Sequence, residues 1–204
     1  PLTLDGPTIP DGVFHVYVVA LTDVQNGGND YLRWENGPGN VYNQVVDAST
    51  SESDWQGYFN SLKFHEFVND EKNKTAGWEM KHFPAALACE TYDGNPANGK
   101  YDWQKPLVAP SNTSGWFLPS CGQLKYLYQN RSSLSGRMTD VKNNTPPDCN
   151  YKNYINWFGS SYYYWSSTEN LDTSYYVWCM GFNSGKTICD DKNDTNAVRA
   201  VLAF

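Results

Sequence analysis

Residues 115–128, GWFLPSCGQLKYLY, join a short apolar run to the beginning of a helix. Gly115 to Leu118 is bulky and apolar, which favours a buried strand. Ser120 is a good N-cap residue, and Gln123 three positions later completes the pattern of a capping box. Spacings of three and four then mark one helix face, made of Leu124, Leu127, Tyr128, Arg131 and Leu134. The segment predicts a strand that turns sharply at Pro119-Ser120 into a helix.

The composition narrows the class of protein. The 204 residues are enough for one large domain or two small ones, with a sizeable core in either case. A formal net charge of −7 argues against a nucleic-acid-binding protein, which normally has a basic face. No run approaches about 18 consecutive apolar residues, so we expect no membrane insertion by this chain. Aromatic residues make up 16% of the sequence, and they serve either as core and strand residues or as a stacking surface for a ligand.

The order of the predicted elements is typical of an α+β protein. Residues 1–12 contain three prolines and two glycines and are interpreted as a linker or the exit from an upstream domain, followed by one domain over 13–204. A strand is predicted over 14–24, and helices over 54–72 and from Pro84. A loop is predicted over 135–161. Further strands are predicted over 162–168, 175–182, 186–189 and 197–204.

The cysteines and histidines do not form a recognisable metal site. No C-x-x-C pair occurs, and the three histidines do not have zinc-ligand spacing, which argues against a structural zinc ion. An odd number of cysteines also excludes a fully paired disulfide framework within one chain. The five are Cys89, Cys121, Cys149, Cys179 and Cys189.

Five motifs occur in an order that resembles a C-type-lectin-like domain. They are AALAC (85–89), GWFLPS with the following QL (115–124), YWSST (164–168), a hairpin turn at 183–185, and NAVRAVLAF (196–204). The sequence is most similar to the bacterial branch found at the C-terminus of the Legionella collagen-like protein and in Bacteroidetes fimbrillin-associated surface proteins. The resemblance implies two main helices packed on antiparallel sheets, with the two chain termini paired.

The resemblance also sets expectations for metal binding and disulfides. Calcium-dependent members of the family use EPN or QPD and WND tripeptides, none of which occurs here, so we expect a calcium-independent domain without cofactor or metal. The family's hairpin disulfide implies a bond between Cys179 and Cys189. Cys89 is expected to be a free, buried thiol. The pairing of Cys121 and Cys149 stays open.

The function implied by the resemblance is a non-enzymatic adhesion module on a bacterial cell surface or fimbria. Its partner would be a glycan or a host or bacterial surface protein, and the chain could follow an upstream domain or lipid anchor. A structural stalk or tip domain of a fimbria is the alternative. An oxidase of the formylglycine-generating type is less favoured, because the FLPSCGQLKYL corner lacks the glutamates typical of those enzymes. A hydrolase is not supported, since no G-x-S-x-G motif occurs.

The candidate ligand site is the aromatic loop at 143–163 with the short loop after YWSST. Rigid aromatic rings among amides are typical of sugar and protein recognition. An alternative is that Trp157 and Phe158 fold inward over the core. The predicted ligand contacts are Tyr151, Tyr154 and Trp157, assisted by Glu169, Asn170 and Asp172.

Overall fold

A computed structural model describes residues 3–5, 16–24, 30–92, 109, 112–147, 155–159 and 162–204 of the chain. These residues form an α+β fold, which confirms the predicted class. The helices are α1 (Gly57–Asn69), α2 (Glu71–Thr75), α3 (Pro84–Glu90), α4 (Cys121–Gln129) and α5 (Arg131–Asn144), with 3₁₀ turns at Pro38–Asn40 and Met80–His82. The strands are β1 (Thr3–Asp5), β2 (Val16–Val19), β3 (Leu32–Arg33), β4 (Trp116–Phe117), β5 (Tyr163–Glu169), β6 (Tyr176–Gly181), β7 (Lys186–Asp191), β8 (Thr195–Asn196) and β9 (Val201–Ala203). None of these helices has the length and apolar character that crossing a bilayer requires.

The two ends of the chain pair in a four-stranded sheet of order β1-β2-β9-β4. Tyr17 lies opposite Ala203 in an antiparallel register, which confirms the expected pairing of the termini. β1 pairs with β2 on the other side, so part of the predicted linker is an edge strand of this sheet. The remaining linker residues, 1–2 and 6–12, lie outside the described residues.

The strand-to-helix corner at Pro119-Ser120 forms as predicted. The Gln123 side chain accepts a hydrogen bond from the Ser120 backbone N–H at 2.8 Å, and the Ser120 hydroxyl accepts one from the Gln123 N–H at 3.4 Å. The same hydroxyl donates to the carbonyl oxygen of Asp54 at 2.5 Å. The capping box therefore also fixes α4 against the segment that leads into α1.

Helix α5 occupies part of the segment predicted to be a loop, so that prediction is wrong for residues 135–144. Only two of its side chains are buried, Leu134 and Met138, each 2% exposed. They stand four positions apart and therefore lie on one helix face. Val141, the third apolar residue of the helix, is 38% exposed, and three apolar side chains among 14 mostly polar residues make only a weak periodic signal.

Two buried indoles connect the three-stranded β5-β6-β7 sheet to the small β3-β8 sheet. Trp165 donates its ring N–H to the carbonyl oxygen of Leu32 at 2.6 Å, and Trp34 donates to the carbonyl oxygen of Ser166 at 2.9 Å. Both indoles are almost completely buried. Their N–H groups are thus satisfied inside the core, and each indole is bonded to the backbone beside the other.

The predicted disulfide between Cys179 and Cys189 is wrong. In the β6-β7 ladder, Cys179 lies opposite Ile188 and Cys189 lies opposite Trp178. Because successive side chains on a strand point to opposite faces, the two sulfurs lie on different sides of the sheet. Both thiols are free, as are Cys89 and Cys121, whereas Cys149 lies outside the described residues. Cys89 is a buried free thiol, as expected.

Candidate functional site

The aromatic part of the predicted ligand site lies partly outside the described residues, which include neither Tyr151 nor Tyr154. Trp157 is half-buried, and its ring centroid lies 4.9 Å from that of Phe158. Phe158 is buried and stacks on Phe182 with a centroid distance of 3.8 Å and an interplanar angle of 6°. Phe158 therefore folds into the core, and the half-buried Trp157 ring packs edge-on against it.

The side chain of Glu169, which was predicted to contact a surface ligand, does not face solvent. Its side chain is 3% exposed, and Oε1 lies 2.8 Å from Nζ of Lys192. The carboxylate also accepts hydrogen bonds from the backbone N–H groups of Val46 and Ala48. These contacts attach the segment around residues 44–48 to the end of β5, so Glu169 has a structural role.

Asn170 organises the short loop after β5, while Asp172 is exposed. The side-chain oxygen of Asn170 accepts hydrogen bonds from the N–H groups of Asp172 at 2.9 Å and Thr173 at 3.1 Å. This is an Asx-type turn, in which the side chain replaces a backbone acceptor. Of the three loop residues predicted to contact a ligand, Asp172 alone is exposed to solvent.

Trp157 and Asn170, one described residue from each half of the predicted site, lie near opposite ends of β5. Trp157 packs near Phe182, which follows the end of β6 that pairs with Tyr163 at the start of β5. Asn170 follows the other end of β5, a strand of seven residues. At about 3.3 Å per residue, the two ends are roughly 20 Å apart. Trp157 and Asn170 therefore do not share one small site.

A cavity of about 270 Å³ lies at a different place, where the four-stranded sheet formed by the two chain ends meets the start of α1. Five separate segments contribute to its wall: β2, the start of α1, the residues before β4, α4, and the end of the chain. The lining residues are Tyr17, Trp55, Gln56, Tyr58, Phe59, Asn112, Thr113, Ser114, Gln123, Ala203 and Phe204. Tyr17 and Ala203, which pair between β2 and β9, both line the cavity, so the pairing of the chain ends fixes its position.

The lining of this cavity is aromatic and uncharged. Its aromatic rings come from Tyr17, Trp55, Tyr58, Phe59 and Phe204, and amides and hydroxyls from residues 56, 112–114 and 123 supply its polar groups. None of these described lining residues carries a charged side chain. Such a wall suits a neutral ligand that has an apolar face and a few hydrogen-bonding groups. At this volume, the cavity holds a ligand of about one ring rather than a long chain.

The capping box also positions the cavity wall. The Gln123 side chain, which caps α4, donates from Nε2 to the carbonyl oxygen of Trp55 at 3.2 Å. The Trp55 ring is held edge-on against Tyr126, with centroids 5.2 Å apart, and lies 6.5 Å from the Tyr17 ring. Gly57 allows this arrangement, because a Cβ there would lie 2.3 Å from the Gln123 side-chain oxygen. The corner at 119–120 thus orients a wall of the cavity.

Sequence analysis missed this cavity because its residues are far apart in the chain. Phe59 lies in the helix predicted over 54–72, and its side chain is 43% exposed rather than buried. Sequence spacing alone does not show whether an apolar residue of a helix is exposed, since its exposure depends on which segments pack against that helix.

Comparison with known proteins shows a likeness in fold to solved structures. No family model matches the sequence, and no curated protein matches it. A solved structure described as a fimbrial protein from Bacteroides ovatus ATCC 8483 superimposes with a TM-score of 0.55 at 18% sequence identity. The match covers 95% of this chain and 37% of that protein. At this identity the likeness shows a shared fold, and this chain spans little more than a third of its structural neighbour.

Proposed function

We propose that this chain is a non-enzymatic module of a bacterial surface fimbria, acting as a stalk or tip domain with a C-type-lectin-like arrangement. The observation that carries the proposal is the fold shared with a fimbrial protein over 95% of this chain. Because the match covers 37% of that protein, the chain corresponds in size to one module of a longer subunit. Its place would be the outside of the cell, exposed on the fimbria.

The chemistry of the described residues supports a non-enzymatic role over an oxidase. A thiol must ionise to act as a nucleophile or a redox group, and burial works against ionisation. Burial raises the pKa of the Cys121 thiol to about 12 and the pKa of the Cys179 thiol well above its ordinary value. Cys121 lies in the FLPSCGQLKYL corner, which lacks the glutamates typical of formylglycine-generating oxidases, and burial keeps its thiol protonated.

Immunogold electron microscopy tests the fimbrial role. Antibodies raised against the purified chain are expected to label fimbriae on cells that produce the full-length protein, either along the fibre or at its end. Labelling along the fibre would indicate a stalk subunit, and labelling at the end a tip subunit. Cells in which the gene is deleted are the control. Gold confined to the cell body, with unlabelled fimbriae, would contradict the proposal.

Recognition of a glycan is a second candidate function, and the uncharged aromatic cavity favours it. A sugar ring presents an apolar face to an aromatic side chain and hydroxyls to amides, and both kinds of group line the cavity. The absence of charge among the described lining residues fits a neutral sugar better than a sialylated one. Glycan binding would then belong to a fimbrial tip domain.

Replacing Phe59 with Ala is expected to weaken binding to a neutral glycan about tenfold, since loss of one stacking ring costs about 1.4 kcal/mol. The probe is an array of neutral and sialylated glycans, followed by titration of the strongest binder. Tyr176→Ala is the matched control, because Tyr176 is 44% exposed and lies on β6, away from the cavity. Unchanged binding by Phe59→Ala, or binding of sialylated glycans alone, would rule out this site.

A further inference from the structure

The side chain of Lys192 is completely enclosed between two carboxyl groups. Lys192 lies in the turn between β7 and β8, and its side chain is 0% exposed. Its Nζ lies 2.8 Å from Oε1 of Glu169 and 3.8 Å from Oε2 of Glu35, which is also 0% exposed. Nζ also donates to the carbonyl oxygen of Gln44 and lies 4.5 Å from the centre of the Trp34 ring. An amine and two carboxyl groups thus share one water-excluded site.

The two carboxyl groups are in different environments. Glu169 accepts hydrogen bonds from Lys192 and from two backbone N–H groups. Both oxygens of Glu35 lie 3.2 Å from one backbone N–H, that of Gln44. Burial raises the pKa of Glu35 to about 8, although Lys192 and the Gln44 N–H act in the opposite direction. At neutral pH, Glu35 is therefore mainly a neutral carboxylic acid, next to an amine whose closest carboxylate is Glu169.

We propose that Lys192 and Glu35 join in an intramolecular amide bond between Nζ and Cδ. Glu169 accepts a proton from the Lys192 ammonium group through the 2.8 Å contact, which leaves a neutral amine. The amine attacks Cδ of Glu35, and the Gln44 N–H donates to the oxygen on which negative charge develops. The Cδ–OH bond then breaks, and the leaving hydroxyl takes a second amine proton and departs as water.

Atoms and charge balance in this step. The cluster begins as an ammonium, a carboxylate and a carboxylic acid, and it ends as an amide, a carboxylic acid on Glu169 and one water molecule. It is neutral before and after, so no net charge is created in the buried site. No oxidant, reductant or activating group is needed. Enclosure under the Trp34 ring holds the reacting groups together and keeps bulk water from reversing the step.

The bond would connect two distant parts of the chain. Glu35 follows β3, whereas Lys192 lies between β7 and β8, so the link would close a covalent loop around α1 to α5. A cross-link of this span constrains the unfolded chain in the way that a disulfide does. It would also hold the closed segment when the chain is pulled from its ends. The inference goes beyond the proposed fimbrial role and does not depend on it.

Intact mass spectrometry of the purified, denatured chain tests the proposal. We expect a mass lower than that of the sequence by one water molecule, and a tryptic digest with a branched peptide joining Lys192 to Glu35. Lys192→Met and Glu169→Gln should each restore the full sequence mass, the first by removing the amine and the second by removing the base. Lys186→Met is the matched control, since Lys186 is an exposed lysine on β7 and its loss should leave the missing water unchanged.

A wild-type chain with the full sequence mass would overturn the inference, and so would a branched peptide that joins Lys192 to Glu169. Loss of water that maps to any other residue would also overturn it. The wild-type mass and the mapped peptide decide the question even if a buried variant does not fold. Failure of the cross-link would leave the immunogold and glycan results unaffected.

Discussion

Replacing Arg199 with Leu is expected to lower the free energy of unfolding by about 3–5 kcal/mol, because it leaves the carboxylate of Asp23 without its charged partner. The Arg199 side chain is fully buried in the segment just before β9. Its Nε donates to Asp23 Oδ1 at 2.8 Å, and Nη2 lies 2.7 Å from the same oxygen. The pair connects the last segment of the chain to the segment that follows β2.

The remaining contacts of the Arg199 guanidinium raise the cost of removing it. Nη1 donates to the carbonyl oxygens of Ala20 at 3.0 Å and Asn156 at 3.2 Å, and Cζ lies 4.5 Å from the centre of the Phe158 ring. Arg199→Leu would remove the donors to these carbonyl groups as well as the charge beside Asp23. The Ala20 carbonyl is buried, and a buried acceptor that loses its donor costs about 1–3 kcal/mol.

Urea unfolding of the wild type and two arginine variants measures this effect. Arg131→Leu is the control, since Arg131 is exposed and its main ring contact is with Tyr128, at 4.1 Å from Cζ to the ring centre. An exposed cation–π contact is worth about 0.5–1 kcal/mol, so the control should lose no more than that. Equal losses in the two variants would show that Arg199 is not the buried link between the chain ends.

Replacing Gly122 with Ala is expected to lower the free energy of unfolding by about 1–3 kcal/mol or more, through a backbone clash. A Cβ on Gly122 would lie 2.3 Å from the carbonyl oxygen of Asp54 and 2.8 Å from that of Ser53. The Gly122 N–H also donates to the Asp54 carbonyl at 2.9 Å, so α4 cannot move away without breaking this bond. The change would separate the corner at 119–120 from the segment that leads into α1.

Gly136→Ala in α5 is the matched control and should have the opposite sign. Nothing lies within 4 Å of a Cβ on Gly136, and alanine is favoured over glycine in a helix by about 0.8–1 kcal/mol. Thermal melting should therefore rise for Gly136→Ala and fall for Gly122→Ala. A stable Gly122→Ala variant would mean that α4 does not approach residues 53 and 54 as closely as described.

Local chemistry was enough to predict much of the fold. The corner at 119–120 was recognised because its capping box joins residues three positions apart, Ser120 and Gln123, which the chain brings together by itself. The helix from Pro84 follows from the preference of proline for the first helical turn. The terminal strands were recognised from β-branched and aromatic runs, although their paired lengths are shorter than the runs.

Tertiary structure decided the site, because each of its features depends on contacts between distant segments. The register of β6 and β7 separates Cys179 from Cys189, and a shift of one residue in that register would reverse the result. Glu169 is adjacent in sequence to a loop but becomes buried because Lys192 needs a counter-charge. The cavity forms only when five segments meet around the paired termini. Spacing along a chain can indicate a helix or a cap, whereas burial and cavity shape depend on how the finished elements pack.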